Sequence, residues 1–355
     1  MASQKQISTN VTELLGVKHP VLLAGMFNVA SPKLAAAVTN GGGLGVIGGV
    51  AYTPELLREA LNELKSYLVD KSAPFGVDLL IPKVGGSARK TNYDYSHGKL
   101  GELIEIVIES GAKLFVCAVG IPPKWAVDRL HQGGVLYMNM IGHPKHALKA
   151  VEVGADLICA QGGEGGGHTG DIPTIVLIPA VAELLQGKIS PFTHRQVALV
   201  AAGGMNNGQS LAAALMLGAG AVWVGTRFIL SEESGASRVH QQALQEAGFD
   251  DIIRTTIFSG RPLNTQATPY IKRWENERKQ ELQDLQSRGI IPLAHDMDTK
   301  KDDDEVLDNA HPMLMGKVAG LVRERLPAGK IVESMVEEAA ALLEAGGRSV
   351  SKAKL

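Results

Sequence analysis

Only two cysteines occur in 355 residues, too few for a disulfide-stapled scaffold. Cys117 and Cys159 lie in apolar runs (LFVCAVG and DLICAQGG), and neither has a CxxC partner. They read as buried, reduced thiols, and zinc is not expected. HExxH, Walker A and GxSxG patterns are missing too, so no metal site, P-loop or serine-hydrolase elbow is expected. No stretch of about 18 apolar residues is present, which argues against a membrane partner. The formal net charge is only −2, with no basic excess to attract nucleic acid. Residues 1–9 are polar and lack the apolar core of a secretory signal.

What is abundant is glycine, with 41 residues, about 12% against an ordinary ~7%. Glycine is unfavourable inside helices and strands, and it collects where backbone turns tightly or approaches a ligand. It follows no three-residue period here, which excludes collagen. It clusters at 41–43, 162–163, 165–167 and 203–204, with Gly218 and Gly220 close together. A composition of 45% hydrophobic and 20% charged residues describes a globular chain, not a disordered one.

Eight short apolar runs occupy residues 21–26, 44–49, 75–80, 114–120, 135–140, 157–162, 198–203 and 221–228. Most are apolar throughout instead of alternating, as expected of parallel strands covered on both faces. Helix-like periodicity fills 54–68, 101–110, 124–131, 146–153, 174–185 and 209–217. Ser31-Pro32 and Thr53-Pro54 read as helix starts, and Gly111, Gly154 and Gly218 as helix stops. A doubly wound sheet would place a glycine-rich phosphate loop after its first strand, whereas residues 27–31 form none. The pattern therefore predicts an α/β fold, a (β/α)8 TIM barrel with a smaller inserted α/β or mostly helical lid domain.

We assign the barrel to 10–229, the insertion to 230–312, helices packing back on the barrel to 313–346, and a flexible tail to 347–355. Within the insertion, 251–262 has β character. Residues 271–288 read as one exposed charged helix carrying Leu282 and Leu285, and 296–308 as a charged loop. Residues 326–346 predict a helix with Ile331, Met335, Val336, Ala339, Leu342 and Leu343 on its packed face.

The strongest chemical constellation is QGGEGGGHTG, from Gln161 to Gly170, at the carboxyl end of the sixth run. Barrel active sites lie at that end. Its glycines, Gly166 and Gly167 among them, free backbone amides to approach a flat or anionic ligand, and His168 is a candidate base near neutral pH. Gly203 and Gly204 end the seventh run ahead of a helix opening near 206–209. Trp223, Val224, Gly225 and Thr226 end the eighth. Two such ends on neighbouring strands predict a phosphate cradle of backbone N–H groups and a helix dipole, with Thr226 adding a hydroxyl. Ala24 and Gly25 would let backbone meet a ring system, with Met26 lying against it. Asp78, at the end of the third run, is either a loop cap or a site residue.

With these residues in view, the chain resembles the nitronate monooxygenase family, once called 2-nitropropane dioxygenases. The resemblance runs through 23–26, 42–47, the Gln161–Gly170 stretch, 202–205 and 218–228, in the family's order, and resumes in 316–343. It implies an FMN-dependent barrel that oxidises alkyl nitronates, and in some members nitroalkanes, with dioxygen to a carbonyl compound and nitrite. By the same resemblance Ala24, Gly25 and Met26 line the flavin. Asp78 stands at the isoalloxazine edge, where the family more often has asparagine. Gln161, Gly166 and Gly167 contact the cofactor. Gly203, Gly204 and Trp223 to Thr226 hold its phosphate, and His168 is the active-site histidine. Some members carry a lysine after the fifth strand, where this chain has Met138, Asn139 and Met140. Related alternatives are an FMN-dependent enoyl-acyl-carrier-protein reductase, an NAD(P)H:quinone reductase and a non-catalytic flavin-binding protein. A homodimer is among the expectations. Ala353-Lys354-Leu355 nearly matches the Ser-Lys-Leu address, so a peroxisomal location is expected in a eukaryote and a cytoplasmic one otherwise.

Overall fold

A computed structural model of the chain describes residues 5–49, 52–81 and 94–349. The tail tripeptide Ala353-Lys354-Leu355 lies outside the described residues. Eight strands make one sheet: β1 (Val21–Leu23), β2 (Gly45–Gly49), β3 (Phe75–Leu80), β4 (Leu114–Ala118), β5 (Leu136–Ile141), β6 (Leu157–Gln161), β7 (Ala198–Ala202) and β8 (Ala221–Val224). The order is β1-β8-β7-β6-β5-β4-β3-β2, every pair parallel. Leu23 N–H donates to Leu44 O at 2.9 Å, and Leu44 N–H to Val21 O at 3.0 Å, closing β2 back onto β1. The expected TIM barrel is therefore present.

The apolar runs form strands because both faces find apolar cover. Alternate residues point inward, and Leu22, Val46, Val116, Met138, Cys159, Val200 and Trp223 fill the lumen. The others, including Val77, Phe115, Cys117, Tyr137 and Ile158, pack beneath the helices. Cys117 and Cys159 thus face opposite sides of the sheet, and both are free and buried. Helix starts follow local chemistry. Ser31 Oγ accepts from Leu34 N–H at 3.2 Å and Thr53 Oγ1 from Leu56 N–H at 3.3 Å, each with proline in the first turn.

The chain beyond β8 departs from the sequence expectation in two places. Residues 271–288 are not one exposed helix but parts of two, Pro269–Asn276 and Lys279–Ser287. Their buried Ile271, Trp274, Leu282 and Leu285 join Ile257, Leu293 and Val306 in a separate small core. Residues 296–308 are not a loop, for the helices Pro292–Thr299 and Asp304–Asp308 cover most of them. Asp296 is fully buried there, because Arg278 reaches it at 2.7 Å while lying 3.4 Å over the Trp274 ring. A second sheet of Ile252–Thr255, Leu263–Gln266 and Gly167–His168 is antiparallel, and it joins the insertion to the barrel.

The helix Ala328–Arg348 returns to the barrel and buries Ile331, Val332, Met335, Val336 and Ala339. It packs against the helices Pro32–Asn40 and Gly208–Met216. Gly208 permits that approach, since a Cβ there would lie 2.7 Å from Met335 O.

At the opposite end from the glycine-rich loop, Asp156 precedes β6. Its carboxylate accepts from Tyr137 N–H at 2.8 Å and from the Ser190 hydroxyl, and lies 2.9 Å from His131 Nε2. Removing it strands two buried donors. Asp156→Ala is expected to lower stability by about 3 kcal/mol, read as a drop in the urea midpoint.

Candidate active site

The loop after β6 is held open by side chains, not by its own glycines alone. Asn264, almost fully buried, donates from Nδ2 to Gly163 O at 2.8 Å and Gly165 O at 2.7 Å. Gln161 Nε2 donates to His168 O at 2.7 Å, and Thr169 Oγ1 to Gly162 O at 2.7 Å. Glu164 turns toward the helix Thr174–Leu184 and accepts from Thr174 N–H at 3.0 Å and Oγ1 at 2.7 Å, so its charge meets the positive end of that helix. Asn264 lies in no motif, and sequence reasoning missed it; Glu164 lies inside the glycine-rich motif, but this role for it was not foreseen. The reason for Gly166 also differs from expectation. A Cβ there would lie 2.8 Å from Gly316 N and from Met315 C, so the close approach is to the chain's own backbone.

His168 does not project from an uncovered loop. With Gly167 it forms a short strand paired with Leu263 and Asn264. Its Nε2 lies 2.7 Å from Ser259 Oγ, a residue of the insertion. Burial, helped by the Arg261 charge, pulls the imidazole down to about 4 from its ordinary 6.5. The ring is therefore neutral at pH 7, with Nδ1 left on its other edge.

The ends of β7 and β8 lie side by side. Gly203 and Gly204 take left-handed backbone, φ 87° and 78°. A Cβ on Gly204 would meet only Glu164 Cβ, at 3.8 Å, and one on Gly225 only Ala24 Cβ at 3.4 Å and Met26 Sδ at 3.5 Å. The main-chain N–H groups of Gly204, Gly225 and Thr226 have no acceptor among the described residues. Thr226 Oγ1 accepts from Gly316 N–H at 2.9 Å and keeps its own proton to donate. The expected helix-dipole contribution is corrected, because the start of Gly208–Met216 is already satisfied. Gly208 N–H donates to Glu338 at 2.7 Å, and Ser210 N–H to Asn207 Oδ1 at 3.0 Å.

Across the barrel mouth, Asp78 is inside β3 and not at its end. It sits opposite Gly48 in register, and its side chain occupies the space a Gly25 Cβ would need. Ala24 and Trp223 face the lumen. Val224 faces the helices, so only its backbone could serve a ligand. Asn139 likewise does not enter the lumen. It is buried and bonded to Tyr137, leaving Met138 and Met140 on the inner face.

A family model for nitronate monooxygenase matches residues 8–338. The chain belongs to the nitronate monooxygenase family. A relative from Mycobacterium tuberculosis, named (3aS,4S,5R,7aS)-5-hydroxy-7a-methyl-1-oxo-octahydro-1H-indene-4-carboxyl-CoA dehydrogenase, is 34% identical over 76% of this chain and 69% of its own. A "Probable nitronate monooxygenase" from Staphylococcus saprophyticus is 28% identical over 81% of this chain and 86% of its own. Among solved structures, FabK from Thermotoga maritima superposes with a TM-score of 0.76 at 29% identity, over 97% of this chain and all of that one. Nitroalkane oxidase from Streptomyces ansochromogenes shares the fold at 24% identity, with a TM-score of 0.75 over 94% and 99% of the two chains.

Membership makes this nitronate monooxygenase relative a flavin oxidoreductase. Its residues fit a flavin phosphate on their own terms. Three unspent N–H groups and a hydroxyl proton lie at the ends of two neighbouring strands, beside two open glycines, and donors of this kind suit an anion. Among the described residues no group of three His, Cys, Asp or Glu is placed to hold a metal, and no helix is long and apolar enough to cross a membrane.

The depressed His168 imidazole sets a pH dependence. The unfolded ring binds a proton near 6.5 and the folded ring only near 4, so stability is present above 6.5 and is lost as pH falls through that window. His168→Gln is expected to reduce this loss in the flavin-free protein, measured as urea midpoints at about pH 7 and about pH 5.

Proposed function

We propose that the chain binds FMN at the carboxyl end of the barrel and oxidises alkyl nitronates with dioxygen to a carbonyl compound and nitrite. The observation that carries this reading is a partly buried His168, held by Ser259 in the loop after β6, together with the open glycines at the ends of β7 and β8. When bound, FMN supplies the electron transfer between nitronate and dioxygen. The protein's part is placement. Gly204, Gly225 and Thr226 donate to the phosphate, and Ala24, Gly25 and Met26 line one side of the ring. Ser259 occupies Nε2 of His168 and leaves Nδ1 to face the nitro group.

The low affinity of His168 for a proton sharpens the substrate class. A base with a pKa near 4 has little driving force to remove the α-proton of a neutral nitroalkane. A preformed nitronate needs no such step and asks only for a hydrogen bond to its oxygens. His168→Ala is expected to lower kcat for nitrite release from ethylnitronate by about a hundredfold while FMN stays bound. In the wild type, kcat/KM should show no inflection near 6.5. Full turnover in the variant, or a clear inflection there, contradicts the role given to His168.

A second reading is favoured by the 34% identity to the carboxyl-CoA dehydrogenase and the full-length match to FabK. In it the same cradle holds FMN, and the acceptor or donor is an acyl thioester. Anaerobic reduction of the flavin by NAD(P)H, then reoxidation by an enoyl thioester with no nitrite released from nitronates, selects this reading over the first.

A further inference from the structure

We propose that Asp78 is held in the barrel lumen as a neutral carboxylic acid and presents its proton to the flavin ring as a hydrogen-bond donor. The proposal rests on the FMN reading above for its ligand but not for the state of the acid.

Three observations lead to it. The side chain is 2% exposed, and its Oδ1 is fully buried with no hydrogen-bond partner among the described residues. An ionised carboxylate without partners in such a place is very unfavourable, and the ordinary outcome is retention of the proton. Second, the described residues around it offer no compensating cation. The lumen-facing residues just after β1 and on β4, β5 and β8 are Ala24, Val116, Met138 and Trp223, all uncharged. Among the described residues, Cys117 and Cys159 feel the Asp78 charge, and burial pushes both thiols up, with Asp78 as the lesser cause. Burial alone pushes the Asp78 carboxyl well above the usual carboxylate range.

Third, the backbone is shaped around this side chain. Gly48, its partner in register on β2, has no side chain, so Asp78 leans across β2 to meet Gly25 beyond β1. Gly48 cannot carry a Cβ, because Met26 N would lie 2.5 Å from it. Gly25 therefore gives up its side-chain volume to the acid, and Gly48 gives up its own to the Gly25–Met26 backbone, at the end of the barrel where the cofactor is proposed to sit. A carboxylate there would repel the negative charge of a reduced flavin. A neutral acid does not, and it offers one donor and one acceptor, as an amide does.

The experiment uses the full chain with and without FMN. Asp78→Asn preserves shape and donor, and Asp78→Leu preserves volume and removes the donor. Infrared difference spectra of wild type minus Asp78→Asn at neutral pH should show the carbonyl stretch of a protonated carboxyl. Carboxylate bands in its place overturn the proposal. Because the folded state keeps a proton that the unfolded state releases near 3.8, stability contributed by Asp78 is lost as pH rises above that value. Flavin-free Asp78→Asn should accordingly have a higher midpoint than wild type at neutral pH, and an equal or lower one overturns the neutral acid. FMN affinity should be kept within about threefold in Asp78→Asn and fall about tenfold or more in Asp78→Leu. Equal affinity in Asp78→Leu overturns the hydrogen bond. Failure of the cofactor reading is distinguishable: the wild type then binds no FMN, the hydrogen bond falls with it, and the infrared band still decides the protonation.

Discussion

The site depends on one short piece of backbone pairing. Gly167 and His168, in a barrel loop, lie antiparallel to Leu263 and Asn264, in the insertion. This single join fixes three things at once. It gives His168 a defined direction, brings Ser259 onto its Nε2, and delivers the Asn264 amide to the carbonyls of Gly163 and Gly165. A glycine-rich loop has many conformations available and loses much entropy on ordering. Here most of that ordering is imposed from outside, by a strand that lies almost a hundred residues later in the chain. The small core around Trp274 anchors that strand's neighbours, so residues far from any chemistry hold the histidine in place.

The barrel was legible because parallel strands buried on both faces leave near-continuous apolar runs, and these need no partner to be recognised. The glycine positions were legible as a pattern, though not always for the right reason. Gly204 and Gly225 leave open space, whereas Gly166 is small to admit Met315 and Gly316. Long-range pairing was illegible. Asp296 reads as one more charge in an acidic stretch, and only Arg278, on another helix, makes it a buried residue. Ile271 and Trp274 read as part of a charged, exposed helix, because the residues that cover them lie at 257, 293 and 306. Asp78 could be read as a cap or as a site residue, because register, which sets it against Gly48, is not written in either strand alone.

Desolvation is the common theme of the two polar groups at the mouth. It lowers the His168 imidazole and raises the Asp78 carboxyl, so at both groups it works against the charge each would carry in water near pH 5. The mouth is thus far less polar in its electrostatics than its composition implies. Among the described residues, the charge that acts on His168 is that of Arg261. Such a site suits a planar cofactor and a small anion better than a neutral substrate that must first be ionised.

The helix Ala328–Arg348 lies over the helices Pro32–Asn40 and Gly208–Met216, near the seam where β1 meets β2 and β8. Glu338 on it satisfies the amide of Gly208. During synthesis, every barrel strand and the whole insertion leave the ribosome before this cover does. Until it arrives, the helix beginning at Gly208 lacks the carboxylate that completes its first turn, and the apolar faces around the seam stay wet. A nascent chain of this fold therefore exposes apolar surface at the join of its earliest and latest strands until its last helix arrives.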